Sequence, residues 1–131
     1  MGAAGGWLAS VVDLARFLTA VDGQPGRPDL LSPETLELML RPPPRLWDGS
    51  PVHYALGWLV RPAFGNWWHN GSTPGTASFA ARIGEDITIA AIFNARTMTP
   101  NSSFELLIEP ALGQGLRVSA WPTHDLFAAF Q

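Results

Sequence analysis

The hydrophobic period of this chain changes from about 3.6 to two near its middle, which limits the folds it can adopt. Four segments in this part have strand-like patterns, and they cover residues 54–61, 66–69, 76–83 and 87–94. The connections between them are short and contain Gly65, Gly75 and Gly84. Since parallel neighbours need long crossovers, such connections imply antiparallel pairing. The pattern therefore predicts an antiparallel sheet of three to four strands.

The last of these segments differs from the others because it is apolar on both faces from Ile87 to Phe93. A strand with one solvated face alternates apolar and polar side chains, whereas a strand buried on both faces does not. This segment therefore predicts a central strand that is covered on both sides.

Helical patterns lie before and after the predicted sheet, over residues 10–22, 33–41 and 103–114. Ser10 and Asp13 have the spacing of a capping box, and Ser32 before Pro33 is typical of a second helix start. Pro110 cannot donate an intrahelical hydrogen bond, so we expect a kink or break at Glu109. Helices segregated from an antiparallel sheet indicate an α+β fold, with residues 1–131 forming one domain.

Composition excludes several classes of function. The net charge of −3 does not favour nucleic-acid binding, which usually needs a basic patch. No run of apolar residues is long enough to predict a membrane span. The chain has no cysteine, and all its basic side chains apart from histidine are arginine. Without lysine, the chain cannot supply a Schiff base or a Ser-x-x-Lys pair. We predict no cofactor and no metal site.

Residues 67–75, Trp-Trp-His-Asn-Gly-Ser-Thr-Pro-Gly, carry the most distinctive local pattern. Two aromatic residues are followed by a polar cluster, and glycines lie on both sides of Ser72. Histidine suits proton transfer near neutral pH, and Gly71 lets backbone or substrate approach closely. One interpretation is a ligand-facing sheet edge. The other is a plain hairpin whose histidine is solvated.

Four segments resemble the serine β-lactamase-related proteins, a family that includes class C β-lactamases, D-alanyl-D-alanine carboxypeptidases and family VIII esterases. The similar segments, in the family's order, are residues 5–17, 31–35, 54–58 and 69–75. The first resembles the family's Gly-Gly and Asp-Leu-Ala-Arg-Phe segment, and the third its Tyr-Gly-Leu-Gly-Trp strand. The last resembles the third motif, Lys-Thr-Gly or His-x-Gly. The resemblance implies a partial β-lactamase/transpeptidase-like fold.

The resemblance also implies roles for individual residues. His69 would take the place of the cationic or proton-sharing side chain opposite the nucleophile. The backbone N–H of Ser72 would be one donor of the oxyanion hole, which is typically worth about 3 kcal/mol in the transition state. We place His69 and Ser72 in the catalytic set. The predicted substrate-binding residues are Trp68, Asn70, Gly71 and Thr73.

The family's nucleophile is not present in this chain. Neither Ser-x-x-Lys nor Tyr-x-Asn occurs, because the chain lacks lysine and Tyr54 is followed by Ala55 and Leu56. Ser72 does not stand in a Gly-x-Ser-x-Gly elbow either. We therefore expect the C-terminal segment of a serine hydrolase that acts on acyl esters or amides and is not catalytic by itself. Met1 directly before a family motif favours truncation, and an N-terminal half would complete the enzyme.

Two alternatives from other classes remain open at this point. The chain could be a non-catalytic module that binds a peptide or acyl ligand in the hairpin groove. It could also be a structural domain that self-associates. In each case an incompletely covered sheet would expose apolar surface or an unpaired edge, and such surfaces favour association. We therefore expect a homo-oligomer.

Overall fold

A computed structural model describes residues 5–26, 28–44, 48–96 and 104–123. Its helices are α1 (Val11–Thr19), α2 (Pro33–Leu40) and α3 (Phe104–Gly115), with a short 3-10 helix at Pro62–Phe64. Its strands are β1 (His53–Tyr54), β2 (Leu59–Arg61), β3 (Asn66–Thr73), β4 (Thr76–Ile83) and β5 (Ile87–Phe93). The strands form one antiparallel sheet in the order β1-β2-β3-β4-β5. The predicted α+β class is confirmed, with five strands in place of three to four.

The segment predicted as one strand over residues 54–61 is two short strands joined by a turn, so that prediction was wrong. The Ala55 N–H donates to the Trp58 carbonyl at 2.7 Å, and Gly57 has a φ of 85°. Glycine adopts this left-handed backbone without the penalty that a Cβ imposes. The apolar alternation continues through the turn, so the sequence period hid the reversal.

The strand predicted over residues 66–69 is longer than expected and extends to Thr73. Polar residues occupy this extension, and they pair with β4 through contacts such as Gly71↔Ser78 and Ser72↔Ala77. Because only Pro74 and Gly75 connect the strands, β3 and β4 stay paired up to Thr73↔Thr76. The polar cluster is therefore part of the sheet and does not form a loop beyond it.

β5 lies at the end of the sheet and pairs only with β4 among the described residues, so the predicted central position was wrong. Its two apolar faces are nevertheless covered, as the sequence indicated. Helix α1 packs on β5 and β4 from one side. On the other side Ile108 of α3, together with Leu112, packs against a cluster that includes Ile89 and Ala91. The strand is thus partly covered on both faces, with Ile92 exposed, and its outer edge is not paired by any described residue.

The sheet separates two apolar clusters. One joins Leu18 and Val21 to Val60 and Trp67, with Leu40 of α2 packed against it. The other contains Phe79, Ala81 and Ile108, and half-buried neighbours on β3, β4, β5 and α3 surround it. The result is three layers, in which α1 and α2 cover one face of the sheet and α3 covers the other.

Helix α3 continues through Pro110, so of the predicted kink or break at Glu109 the break does not occur. A proline inside a helix costs about 3 kcal/mol. Ile108 is buried and Leu112 is half-buried against the sheet, one on each side of the proline along the helix. Their burial offsets the lost hydrogen bond. Residue 103, where the sequence predicted the helix to begin, lies outside the described residues. No helix in the described ranges has the length and apolar character of a membrane span.

Ser10 begins α1 with the predicted capping box. Its side chain accepts from the Asp13 N–H at 3.1 Å, while its own N–H donates to the Asp13 carboxylate at 2.9 Å. The hydrogen bond from the Ser10 hydroxyl to that carboxylate, at 2.7 Å, holds the pKa of Asp13 below its ordinary value. The hydrogen bonds that Ser10 donates to the carboxylate are therefore strongest when Asp13 is ionised, whereas the bond from the Asp13 N–H to Ser10 Oγ does not need the charge.

Replacing Ser10 with alanine is expected to lower the free energy of unfolding by about 1 kcal/mol at neutral pH. A carboxyl whose folded pKa is depressed stabilises the fold above its unfolded pKa and loses that contribution as pH falls through the folded pKa. The difference between wild type and Ser10→Ala should therefore shrink on acidification. Urea unfolding of both proteins at neutral pH and near pH 3 measures this difference in the free energy of unfolding. A difference independent of pH would contradict the coupling to Asp13.

Candidate functional site

The β3–β4 hairpin determines which way each predicted site residue points. Thr73 pairs with Thr76 across the two-residue connection, so the two exchange both backbone hydrogen bonds. Side chains alternate along a strand. His69, Gly71 and Thr73 therefore project on the face that also carries Trp67. The predicted residues on the opposite face are Trp68, Asn70 and Ser72. The structure brings the six together on one strand but divides their side chains between two faces.

The backbone of Ser72 faces an edge that no described strand pairs. Because hydrogen-bonded and non-hydrogen-bonded pairs alternate from Thr73↔Thr76, the N–H and C=O of Ser72 point away from β4. The neighbour on that side is β2, whose pairing with β3 ends at Leu59↔Trp68. Ser72 lies beyond that end. The Ser72 N–H therefore points away from β4 into a position where a carbonyl of an extended ligand could accept its hydrogen bond.

His69 is exposed and contacts a residue that sequence reasoning did not place in the site. The Tyr54 hydroxyl lies 2.9 Å from His69 Nε2. The two rings meet edge to face, with centroids 6.0 Å apart and planes at 69°. The contact joins β1 to β3 across β2. Tyr54 is the only tyrosine in the chain, but nothing in its sequence position signalled this pairing.

The space above Gly71 is occupied by the Ser78 side chain. A Cβ added at Gly71 would lie 2.5 Å from Ser78 Oγ, so the glycine admits this hydroxyl. The sequence pattern had instead predicted that backbone or substrate approaches closely at Gly71. Gly5 lies near the same end of the strand, where its added Cβ would be 3.8 Å from Thr73 Cγ2. Gly5 thus lies close to the predicted site.

The two tryptophans of β3 have different surroundings. Trp67 is buried in the core, where its ring meets Trp58 at a centroid distance of 4.5 Å. Trp68 is half-buried on the other face, and the Arg61 guanidinium carbon lies 5.7 Å from its ring centroid. Trp67 is therefore a structural side chain. Of the pair, only Trp68 is placed to contact a ligand.

Within the described ranges, no group of three or more His, Asp or Glu side chains is arranged to hold a metal ion. The chemistry that the site can offer comes from hydrogen bonding and proton sharing. Its groups are the Ser72 N–H, the His69 ring, the Tyr54 hydroxyl and the Ser78 hydroxyl.

The chain matches the family model described as Beta-lactamase over residues 1–110. The match covers most of the chain and includes the whole sheet and the site on β3. The chain belongs to the β-lactamase family. Comparisons with curated proteins and with solved structures gave no match.

Proposed function

We propose that this chain forms one wall of the acyl-transfer site of a β-lactamase- or esterase-type serine hydrolase. In that role the Ser72 N–H is a donor of the oxyanion hole, and His69 faces the reacting group. Asn70, Gly71, Thr73 and Trp68 contribute to substrate binding. The observation that carries the proposal is that no described strand pairs the edge at Ser72, beside the exposed His69.

The open edge supports an ester or amide as the substrate class. An extended ligand can add to such an edge through backbone-type hydrogen bonds. The Ser72 N–H would donate to a ligand carbonyl, and the Ser72 C=O would accept from a ligand N–H where there is one. A donor aimed at a developing oxyanion is worth about 3 kcal/mol in the transition state. An acyl carbonyl provides that acceptor.

The nucleophile must come from residues outside this sequence. The family's Ser-x-x-Lys pair needs a lysine, and this chain contains none. His69 could share a proton with such a serine or orient a substrate, but neither role supplies the activated nucleophile that forms the acyl intermediate. We propose an N-terminal catalytic segment as the partner that completes the site.

A second candidate is a binding module that holds an acyl or peptide ligand without turnover. The same open edge supports it, since edge pairing needs no nucleophile. The two candidates differ in whether a chain segment that supplies Ser-x-x-Lys restores hydrolysis. A binding module would remain inactive when that segment is added.

The chain alone is expected to hydrolyse neither a chromogenic β-lactam nor a nitrophenyl ester above the buffer rate. The physical reason is that an oxyanion donor without an activated nucleophile leaves the bond-forming step uncatalysed. The assay uses purified chain together with Ser72→Ala and His69→Ala as matched variants. A clear rate in the wild type would contradict the prediction. A rate that survives both substitutions would exclude the His69 ring and the Ser72 hydroxyl as its source.

A further inference from the structure

The Tyr54 hydroxyl holds the ring of His69 by one specific nitrogen. Oη lies 2.9 Å from Nε2, so Nδ1 is the ring nitrogen left to face a ligand. The contact comes from a strand two positions away in the sheet, and the edge-to-face rings restrict how the imidazole can turn. In a neutral imidazole, the hydrogen bond made by one ring nitrogen determines whether the proton lies on that nitrogen or on the other.

We infer that Tyr54 is a positioning residue that makes His69 a hydrogen-bond donor through Nδ1 in both protonation states of the ring. The site would then select ligands that present an acceptor oxygen, as in a carbonyl or carboxylate. This inference rests on the proposed function, in which His69 faces the substrate.

The chemistry follows from the two roles open to a phenol. In a neutral imidazole one nitrogen accepts and the other carries the proton. A phenol O–H is a stronger hydrogen-bond donor than a neutral imidazole N–H, and an imidazole nitrogen accepts better than a phenol oxygen. We therefore assign the Tyr54 hydroxyl as donor to Nε2, which puts the proton of the neutral ring on Nδ1. In the imidazolium both nitrogens carry protons, and the Tyr54 oxygen turns to accept from Nε2. Because a hydroxyl can donate or accept, Nδ1 keeps its N–H throughout.

A group that can only donate discriminates between ligands. A ligand acceptor gains a hydrogen bond from Nδ1–H, whereas a ligand amine would leave two donors facing each other. His69 and Tyr54 are both exposed, so a ligand can reach the pair. Phenylalanine at position 54 would retain the ring contact and remove only the hydroxyl.

Long-range 1H–15N correlation NMR of the chain labelled with 15N reads the tautomer of each neutral histidine directly. The chain has three histidines, and His69→Gln assigns the signals of His69. His53 is an internal reference because its Nε2 lies 2.8 Å from the Leu40 carbonyl, which can only accept. His53 should therefore carry its proton on Nε2, and His69 should carry its proton on Nδ1 in the same spectrum.

In Tyr54→Phe the His69 proton is expected to move toward Nε2, while the His53 signals stay unchanged. Acetate should shift the ring signals of wild-type His69 at a pH where the ring is neutral, and methylammonium should not. An Nε2–H tautomer in the wild type, or a tautomer unchanged in Tyr54→Phe, would overturn the inference. Equal responses to acetate and methylammonium would also overturn it. The tautomer is read from the ring alone, so a failure here is distinct from failure of the Ser72 N–H to bind acyl groups.

Discussion

Replacing Asp22 with alanine is expected to lower the free energy of unfolding by about 3–5 kcal/mol. Its carboxylate lies 3.6 Å from Nε of Arg82, and the two side chains are 0% and 4% exposed. Removing the carboxylate leaves the guanidinium charge buried without its counterion. Since a domain is stabilised by only about 5–15 kcal/mol, this single change should remove a large part of the stability. Urea unfolding followed by far-UV circular dichroism measures the loss.

The matched control is Asp86→Ala in the exposed turn between β4 and β5, which should change stability by less than about 0.5 kcal/mol. A double variant, Asp22→Leu with Arg82→Met, replaces the pair with apolar side chains. It should be more stable than Asp22→Ala, because no buried charge is left behind. If Asp22→Ala cost no more than the Asp86 control, the buried pair would not contribute as argued.

Replacing Ile92 with lysine is expected to weaken self-association on the order of a hundredfold. The alternation of β4–β5 pairs directs the backbone N–H and C=O groups of Thr88, Ala90 and Ile92 away from β4, toward an edge that no described residue pairs. We propose that a second copy pairs there. In the dimer, the two lysines at position 92 would repel each other. Removing the lysine ammonium from water on pairing would also cost roughly 1–3 kcal/mol.

The control for this variant is Leu38→Lys on α2, since Leu38 is 45% exposed and Ile92 is 42% exposed. Both changes add one positive charge, but only Ile92 lies on the open edge. Light scattering over micromolar concentrations should show a concentration-dependent dimer for wild type and Leu38→Lys, and a monomer for Ile92→Lys. A wild-type chain that stays monomeric throughout would contradict pairing through β5.

The local sequence signals that were correctly interpreted concern neighbours along the chain. Ser10 and Asp13 form the predicted capping box, and Ser32 caps α2. The hairpin from β3 to β4 follows from alternating side chains on both sides of Pro74 and Gly75. In each case the interacting groups lie within one element or one tight connection. The geometry of these caps and of this hairpin follows from local backbone preferences, and the residue types indicate those preferences.

Contacts between distant segments were not predictable from the same signals. Tyr54 reaches His69 only because β1 and β2 reverse at Gly57, and the two-residue period obscured that turn. Asp22 meets Arg82 because α1 packs over β4 and β5. The family motif located the candidate site on β3. It did not indicate that His69 and Ser72 have side chains on opposite faces, nor that Ser78 fills the space above Gly71.

We propose that the Ser72 N–H on the open edge of β3 binds an acyl carbonyl. Backbone amide NMR during titration with N-acetylalanine methylamide tests it most directly, because this neutral ligand has the carbonyl and N–H spacing of an extended strand. We expect a saturable shift of the Ser72 amide signal, with the Gly84 signal at the far end of the sheet unchanged. A Ser72 signal that does not move, or shifts confined to residues near Gly84, would contradict it.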